Sequence, residues 1–519
     1  MTPSLTSVLT KTGHLFADKR ESHPCFGVTV SLLFCLALSI VHHHHEFWRD
    51  EIHCWSLARN SDGLWELLTG HRRYDGHPFL WYYVLHLASR ISRSEVVLHL
   101  VTIVVATSSA YLWVRHSGLP RILRLLLLGS YCFFFEYGVI SRSYALGILL
   151  GFLFCWLYDP RDRRIGRLFP VLFLLSFTSF YGAVLAFSLG VFLLWQSIAK
   201  LASGQLPRWQ RRALHRQWSL GLGLAGFALY LHLVTSLLPA DSWFGPISGA
   251  SILSADGFPH QFWAGLLPWQ IPARRDGSWI VSGFLGYGDP FVKEYLPVFA
   301  GAFLSLWLWS LRRVPAAVVT LFVGLVCMAF SQAYQYGGYL RHWAHAFVLL
   351  VLLVWLHAKH SKRPAVLLPV LLGATLLVQG VTCVRAVEAE VEFPFSSGKE
   401  AADFLRDHGL ADETILATAD HPASTVAGYL DRHFLFVESR TEAQTVVYHS
   451  RRCEDPSVPQ ILTLAKEIIR IRGKPVLLVV NRDMDGQNVP GVRYELLFET
   501  KPALRGDEGF QIHRVRSTD

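Results

Sequence analysis

Charge is scarce in this chain. Only 17% of its 519 residues are Asp, Glu, Lys or Arg, where soluble domains carry about 25%. An ordinary solvated surface is thereby excluded for much of its length. The eight cysteines form no CxxC pair and no zinc-ligand spacing, which excludes a cysteine metal knuckle and gives no disulfide framework. Cys25, Cys35, Cys132, Cys155, Cys327 and Cys383 sit in or beside apolar runs and act as small hydrophobes, leaving Cys54 and Cys453 expected outside. No Asn-x-Ser/Thr sequon occurs, which favours a bacterial source. The terminal region lacks a nucleotide loop and a catalytic triad, and no internal repeat is visible. The net charge of +9 comes from short Lys/Arg clusters between apolar runs, so nucleic acid is not an expected partner.

What is abundant is apolar sequence: 52% hydrophobic, with a mean hydropathy of +0.32. Several runs approach the roughly 20 residues that span a hydrocarbon core, which makes this a polytopic α-helical membrane protein. The first residues are too polar, and lack a cleavage site, for a signal peptide, so a retained first helix with a cytoplasmic N-terminus is expected. Basic clusters at Lys11 to Arg20, Arg115 to Arg124, Arg161 to Arg164, Lys200 to Arg216, Arg312-Arg313 and Lys359 to Arg363 mark the inner side. The outer set is then 42–95, 141–144, 177–181, 239–293, 331–341 and everything after Arg385.

This threading gives about eleven spans of some 20 residues. They begin near Phe26, Glu95, Ile122, Ser143, Leu168, Ala183, Ser219, Glu294, Pro315, His342 and Pro364. Residues Gly76 to Ser92 are expected as an amphipathic helix in the outer interface. Residues 1–394 form the membrane domain, with outer loops 42–95 and 239–293. From 395 to 519, helical segments (Lys399 to His408, Pro459 to Arg472) alternate with short β-like runs, which reads as a small extracytoplasmic α/β domain.

The apolar run Val28 to Val41 ends abruptly in HHHHEFWRDE. Asp50-Glu51, flanked by Trp48 and Trp55, sets a carboxylate pair at headgroup depth. Arg142 and Arg341 are expected at outer mouths of spans, where the positive-inside rule depletes arginine. They suit a phosphate clamp or snorkel to lipid headgroups. Tyr144 and His342 stand beside them. Glu136 is expected near the outer end of the third span, either paired with Arg142 or marking the interface. Asp75 and His77 open the interfacial helix that carries Tyr82, to bind substrate or to cap that helix. If the chain stays helical, Glu46, Asp50 and His53 share a face; a divalent metal on Asp50, Glu51 and His53 stays open, although no zinc pattern results. The aromatics of 239–293 (Trp243, Phe244, Trp263, Trp269, Trp279) either stack on sugar or prenyl groups or simply lie in the interface.

Arg49-Asp50-Glu51 with Trp55 and Ala58-Arg59, then Gly76-His77-Pro78-Phe79-Leu80-Trp81-Tyr82-Tyr83, Ser141-Arg142-Ser143-Tyr144-Ala145-Leu146 and Tyr336-Gly337-Gly338-Tyr339-Leu340-Arg341-His342-Trp343 form one set. Together they resemble the GT-C glycosyltransferases, in particular the protein O-mannosyltransferase and lipid A aminoarabinose-transferase branch. The resemblance implies a polyprenyl-phosphate-sugar donor and a glycan, lipid or protein acceptor. It also implies an inverting transfer at the outer face of the inner membrane, with Asp50 as general base and Glu51 orienting it or the acceptor. Gly76-His77-Pro78 stands where the family often has Lys-Pro-Pro, and Ser143-Tyr144 where an acid often follows the arginine. Sugar and acceptor therefore stay open. An O-antigen ligase or polymerase, and a lipid or polysaccharide transporter, are the rival classes.

Overall fold

The structure, a computed structural model, describes residues 23–162, 164–204, 206–243, 257–270, 281–283, 290–334, 339–361, 366–484 and 489–518. Lys11, Lys19, Arg20, Phe244, Trp279 and Tyr336 to Gly338, all named above, lie outside the described residues.

Among the described residues, eight helices are long and apolar enough to cross a membrane: Pro24–His44 (α1), Val96–His116, Arg121–Val139, Phe180–Ala202, Arg208–Thr235, Glu294–Leu311, Leu340–His360 and Leu367–Glu392. Three shorter apolar helices, Tyr144–Leu157, Ile165–Ser176 and Pro315–Ser331, fall where three further spans were expected. Length and composition thus support eight crossings where about eleven were expected from runs of roughly 20 residues. Helix α1 turns Leu32, Leu33, Leu36 and Ile40 outward, the lipid-facing pattern, while Leu38 and Val41 pack inward. Leu340–His360 is buried from His342 to His357, as suits a helix apolar all round.

Two local features position the site. After Gly129 the third span rewinds as a π-helix, Tyr131–Val139, in which Ile140 N–H bonds the Phe135 carbonyl at 3.1 Å. Such wide turns appear frequently at functional sites, and this one delivers Ser141 and Arg142 to the bundle end. Second, Arg49–Asn60 (α2) follows α1 after a four-residue break at His45 to Trp48. Glu46 therefore precedes the helix and does not share a face with Asp50 and His53, as an unbroken helix would require. The segment Leu80–Ser89 (α3) has ten residues. At 1.5 Å per residue it reaches about 15 Å, half a hydrocarbon core.

The C-terminal part builds a six-stranded sheet from Ile415–Ala417 (β1), Phe434–Phe436 (β2), Thr441–Ala443 (β3), Val476–Val480 (β4), Val492–Glu499 (β5) and Gln511–Ser517 (β6). Their order is β3-β2-β1-β4-β6-β5, with β1 parallel to β2 and β4 and the remaining pairs antiparallel. The run VLLVV of β4 is wholly buried, as a central strand covered on both faces must be. The sequence pattern had not marked β3, β6 or the helix Asp420–Leu430 (α4).

That last helix fixes the domain onto the membrane part. A Cβ on Gly428 of α4 would sit 2.5 Å from Ile52 Cγ1 of α2 and 3.1 Å from Ser56 Oγ. Arg59 clamps the same corner through Nη2 to the Gly428 carbonyl (3.0 Å) and to Asp431 (3.0 Å), and Phe47 N–H donates to Tyr429 Oη at 2.7 Å. Gly428→Leu is expected to part the two helices, at an overpacking cost of about 1–3 kcal/mol. Limited proteolysis should then cut near residue 395, faster than in wild type. An unchanged cleavage pattern would show that the close contact is not needed for docking.

Candidate active site

The first turn of α2 carries Asp50 and Glu51, but 100° apart, so the helix sends them opposite ways. Asp50 Oδ2 lies 3.0 Å from Arg341 Nη2 and 3.6 Å from Arg142 Nη1. Arg142 also donates to the Asp50 backbone carbonyl at 2.5 Å and to Cys54 Sγ at 3.7 Å. Residues 92 and 291 positions from Asp50 thus converge on one carboxylate. The carboxylate keeps 14% of its side-chain surface and Arg341 16%, so the pair is reachable. Burial alone would raise the Asp50 pKa, yet the two guanidinium groups hold it well below the ordinary carboxylate range.

Glu51 does something else. Its side chain has no exposed surface and accepts from His45 Nε2 at 3.0 Å, from Trp48 N–H at 3.2 Å and from the Ser141 N–H. His45 Nδ1 in turn meets Glu390 Oε1 at 3.0 Å. Of the two expected roles, orienting Asp50 or the acceptor, this buried position suits the first, exerted through the backbone rather than by direct contact. Glu51 ties the start of α2 to the junction before Arg142, and so holds Asp50 and Arg142 in register. Burial would lower the His45 pKa, but Glu51 and Glu390 on either side push it up to about 10. A raised pKa gives stability that is complete below the unfolded value of about 6.5 and is lost as pH climbs towards about 10. Wild type should lose thermal stability across that window more steeply than His45→Gln. Parallel melting-temperature curves would refute the assignment.

Around this centre the other candidates take definite places. Asp75 accepts from His53 Nε2 at 3.0 Å and from Tyr82 Oη at 2.8 Å, a closed network on the near side of α2. Burial opposes ionisation of Asp75, but His53 and the other donors bring its pKa down. His77 is half-buried beside this group, and burial together with the Arg142 cation lowers its pKa to about 4. It is a neutral hydrogen-bonding ring at pH 7.

Three further candidates lie close by. Glu136 turns into the bundle and accepts from Tyr131 Oη at 2.7 Å rather than pairing with Arg142, because the π-helical winding carries it away from the junction. Tyr144 is 3% exposed and packs edge-on against Tyr137 and His345, in an aromatic cluster close enough to Arg142 and Arg341 for electrostatic contact with both. His342 stacks on Tyr181 at 5.2 Å and its Nδ1 accepts the Tyr339 N–H at 2.8 Å, so it secures the start of the helix that presents Arg341. A metal centre on Asp50, Glu51 and His53 is not supported, since these side chains face Arg142 and Arg341, His45, and Asp75 respectively. Among the described residues no group of three His, Cys, Asp or Glu could hold an ion.

The C-terminal domain adds residues that sequence reasoning did not mark. His421, at the start of α4, brings Nε2 to 3.8 Å from Asp50 Oδ1 and keeps 35% of its side-chain surface. The turn before it is rigid. Ala419 has φ +53°, its N–H donates to Glu438 at 2.6 Å, and Asp420 forms a two-point pair with Arg452 at 2.7 Å. Burial, then Arg49, lowers the His421 pKa to about 3, so it too is neutral. Arg49 pairs with Asp507. No sequence signal singled these residues out. An ion pair or an imidazole on an α/β domain is ordinary until the fold sets it against Asp50. In the 239–293 loop, the described helix Phe258–Leu266 packs Gly265 against the Trp343 backbone, where a Cβ would lie 2.5 Å from the carbonyl oxygen. Trp263 is buried there rather than offered to a ligand.

Fold and site together define a membrane-embedded helical protein that focuses arginines on one carboxylate beneath an α/β cap. Two solved structures share this fold: ArnT from Cupriavidus metallidurans in the apo state and the same protein bound to undecaprenyl phosphate. Each has a TM-score of 0.51 and 13% identity, with 93% and 94% of this chain and 97% of the ArnT chain covered. No family model and no curated protein sequence matches this chain.

Proposed function

We propose that this chain is an integral membrane glycosyltransferase of GT-C type. It passes a sugar from a polyprenyl monophosphate carrier to a hydroxyl of a glycan, lipid or protein at the outer face of the bacterial inner membrane. The observation that carries this reading is Asp50, a single reachable carboxylate bridged by Arg341 at 3.0 Å and Arg142 at 3.6 Å. The undecaprenyl phosphate held by a protein of the same fold supports the choice of carrier.

In this mechanism the acceptor oxygen bonds to the anomeric carbon while the bond from that carbon to the phosphate oxygen breaks. The electron pair leaves on the phosphate, and the hydroxyl proton passes to Asp50. A single displacement inverts the configuration. Fixed guanidinium groups meet the charge growing on the phosphate, and the carboxylate tolerates the positive charge at carbon. Both arginines favour the ionised form of Asp50, which by itself keeps it a weak base. A donor phosphate competes for those same cations, so the base gains strength only once the donor is seated. His421, neutral and 3.8 Å away, is placed to orient the acceptor hydroxyl.

The test is glycan and lipid mass spectrometry of a deletion strain carrying either wild type or Asp50→Asn. A hexose or pentose restored by wild type alone supports the reading. Restoration by Asp50→Asn would move the chemistry elsewhere, towards a ligase-like or transport role.

A further inference from the structure

Trp48 sits at the seam between the membrane part and the C-terminal domain, 2% exposed. Three guanidinium groups surround its indole: Arg505 at 4.4 Å from the ring centroid, Arg341 at 5.0 Å and Arg49 at 5.5 Å. Arg49 is neutralised by Asp507, and Arg341 by Asp50. Arg505 is different. Its guanidinium makes no hydrogen bond or ion pair with any described residue, and its Nε is buried without a partner. Its backbone is nevertheless fixed, with the N–H on the Phe395 carbonyl at 3.0 Å and the carbonyl accepting from Glu508 N–H at 2.8 Å.

Like charges gathered on one ring repel, and a cation–π contact offsets only about 0.5–2 kcal/mol of that. Asp507, Glu508 and Asp50 temper that repulsion from beyond ion-pair distance, which leaves the Arg505 guanidinium without a direct anionic partner among the described residues. Arg341 faces both Asp50 and this ring, so an anion entering here reaches the catalytic carboxylate's own partner. Burial and the neighbouring Arg49 cation lower the Arg505 pKa against the opposing pull of Asp507, Glu508 and Asp50, and a bound anion would relieve what remains.

We propose that Arg505, reaching down from the C-terminal domain, joins Arg341 over Trp48 to form the seat of a lipid-borne phosphate. The cap is therefore part of the donor site rather than an accessory. This rests on the glycosyl-transfer reading for the identity of the lipid. Two planar forks on different domains can take different oxygens of one phosphate, which a single arginine cannot do. Binding then draws the cap onto the membrane domain.

The experiment is calorimetric titration of the full-length protein in detergent with undecaprenyl phosphate, comparing wild type, Arg505→Gln and Arg505→Lys. No carboxylate lies within ion-pair distance of Arg505 among the described residues, so its replacement breaks no direct pair, and melting curves check the fold. Arg505→Gln should weaken binding about ten- to a hundredfold, with Arg505→Lys recovering part of it. Wild-type affinity in Arg505→Gln would overturn the seat while leaving the transferase reading intact. Wild type failing to bind undecaprenyl phosphate at all would instead overturn the reading on which it rests. Inorganic phosphate or phosphatidylglycerol binding as tightly as undecaprenyl phosphate would overturn the assignment to the carrier lipid. Should Arg505→Gln not fold, the lysine variant decides: full wild-type affinity refutes a fork, and a partial loss supports it.

Discussion

Asp50→Asn is expected to lower turnover by about 10²–10⁴, the range for a lost general base, while binding of undecaprenyl phosphate becomes tighter. The two effects have opposite signs for one reason. In the proposed mechanism the carboxylate that accepts the proton is also the anion that Arg142 and Arg341 hold until a donor competes for them. Removing its charge frees them for phosphate. A purely structural ion pair predicts something else, since leaving buried Arg142 and half-buried Arg341 without their carboxylate costs up to about 3–5 kcal/mol and would cut activity through unfolding. Melting curves separate the cases: the Asn variant should be less stable when empty and regain stability with undecaprenyl phosphate. A variant that stays active, or one that loses donor affinity, would remove Asp50 from the chemistry.

The pH profile sharpens this expectation. A depressed carboxyl pKa means that Asp50 stays ionised, and its ion-pair stability intact, down to well below the unfolded value of about 3.9. The free enzyme should thus show no acid limb in kcat/KM from Asp50 between pH 5 and 7. In the donor complex the arginines turn to phosphate and the carboxyl pKa rises towards its buried value. An acid limb in kcat that kcat/KM lacks is the expected signature, because the two parameters report complex and free enzyme respectively.

Much of the centre could be picked from residues alone, because an arginine at an outer helix mouth runs against the positive-inside rule. Arg142 and Arg341 stood out on that ground, and Asp50 by the sudden change from apolar to charged sequence. Glu51 misled for a geometric reason. Neighbours in sequence look like a pair, yet on a helix they diverge, and Glu51 points to His45 and the Ser141 N–H instead. Glu136 misled because an α-helical register was assumed where the chain winds as a π-helix. The sheet strands Val476–Val480 and Phe434–Phe436 announced themselves by apolar runs. Helix Asp420–Leu430 did not, since it meets Ile52 and Ser56 through Gly428 and buries small residues such as Ala423 and Ala427, which leave little periodic signal. His421 and Arg505 were illegible for the same reason: only docking through that helix gives them a function.

The two clamp arginines should fail differently. Arg341→Gln is expected to weaken undecaprenyl phosphate binding by about ten- to a hundredfold, one charge-assisted fork lost, with little change in melting temperature. Its guanidinium is partly exposed, and its interactions are the Asp50 carboxylate and the Trp48 and Tyr339 rings. Arg142 is buried and works in two places at once, holding the Asp50 carbonyl at 2.5 Å as well as the carboxylate. Arg142→Gln should therefore lose donor affinity to a similar degree and also destabilise the fold by about 3–5 kcal/mol, the cost of breaking a buried pair. Lysine distinguishes them further. At 341 a point charge keeps part of the phosphate affinity, whereas at 142 one ammonium cannot replace a fork that spans carbonyl and carboxylate. In the double Gln variant the losses should fall short of adding, since both groups act on the same anion. Full additivity in affinity, with equal melting temperatures for the two single variants, would mean that they serve separate sites and that the convergence on Asp50 is not a phosphate clamp.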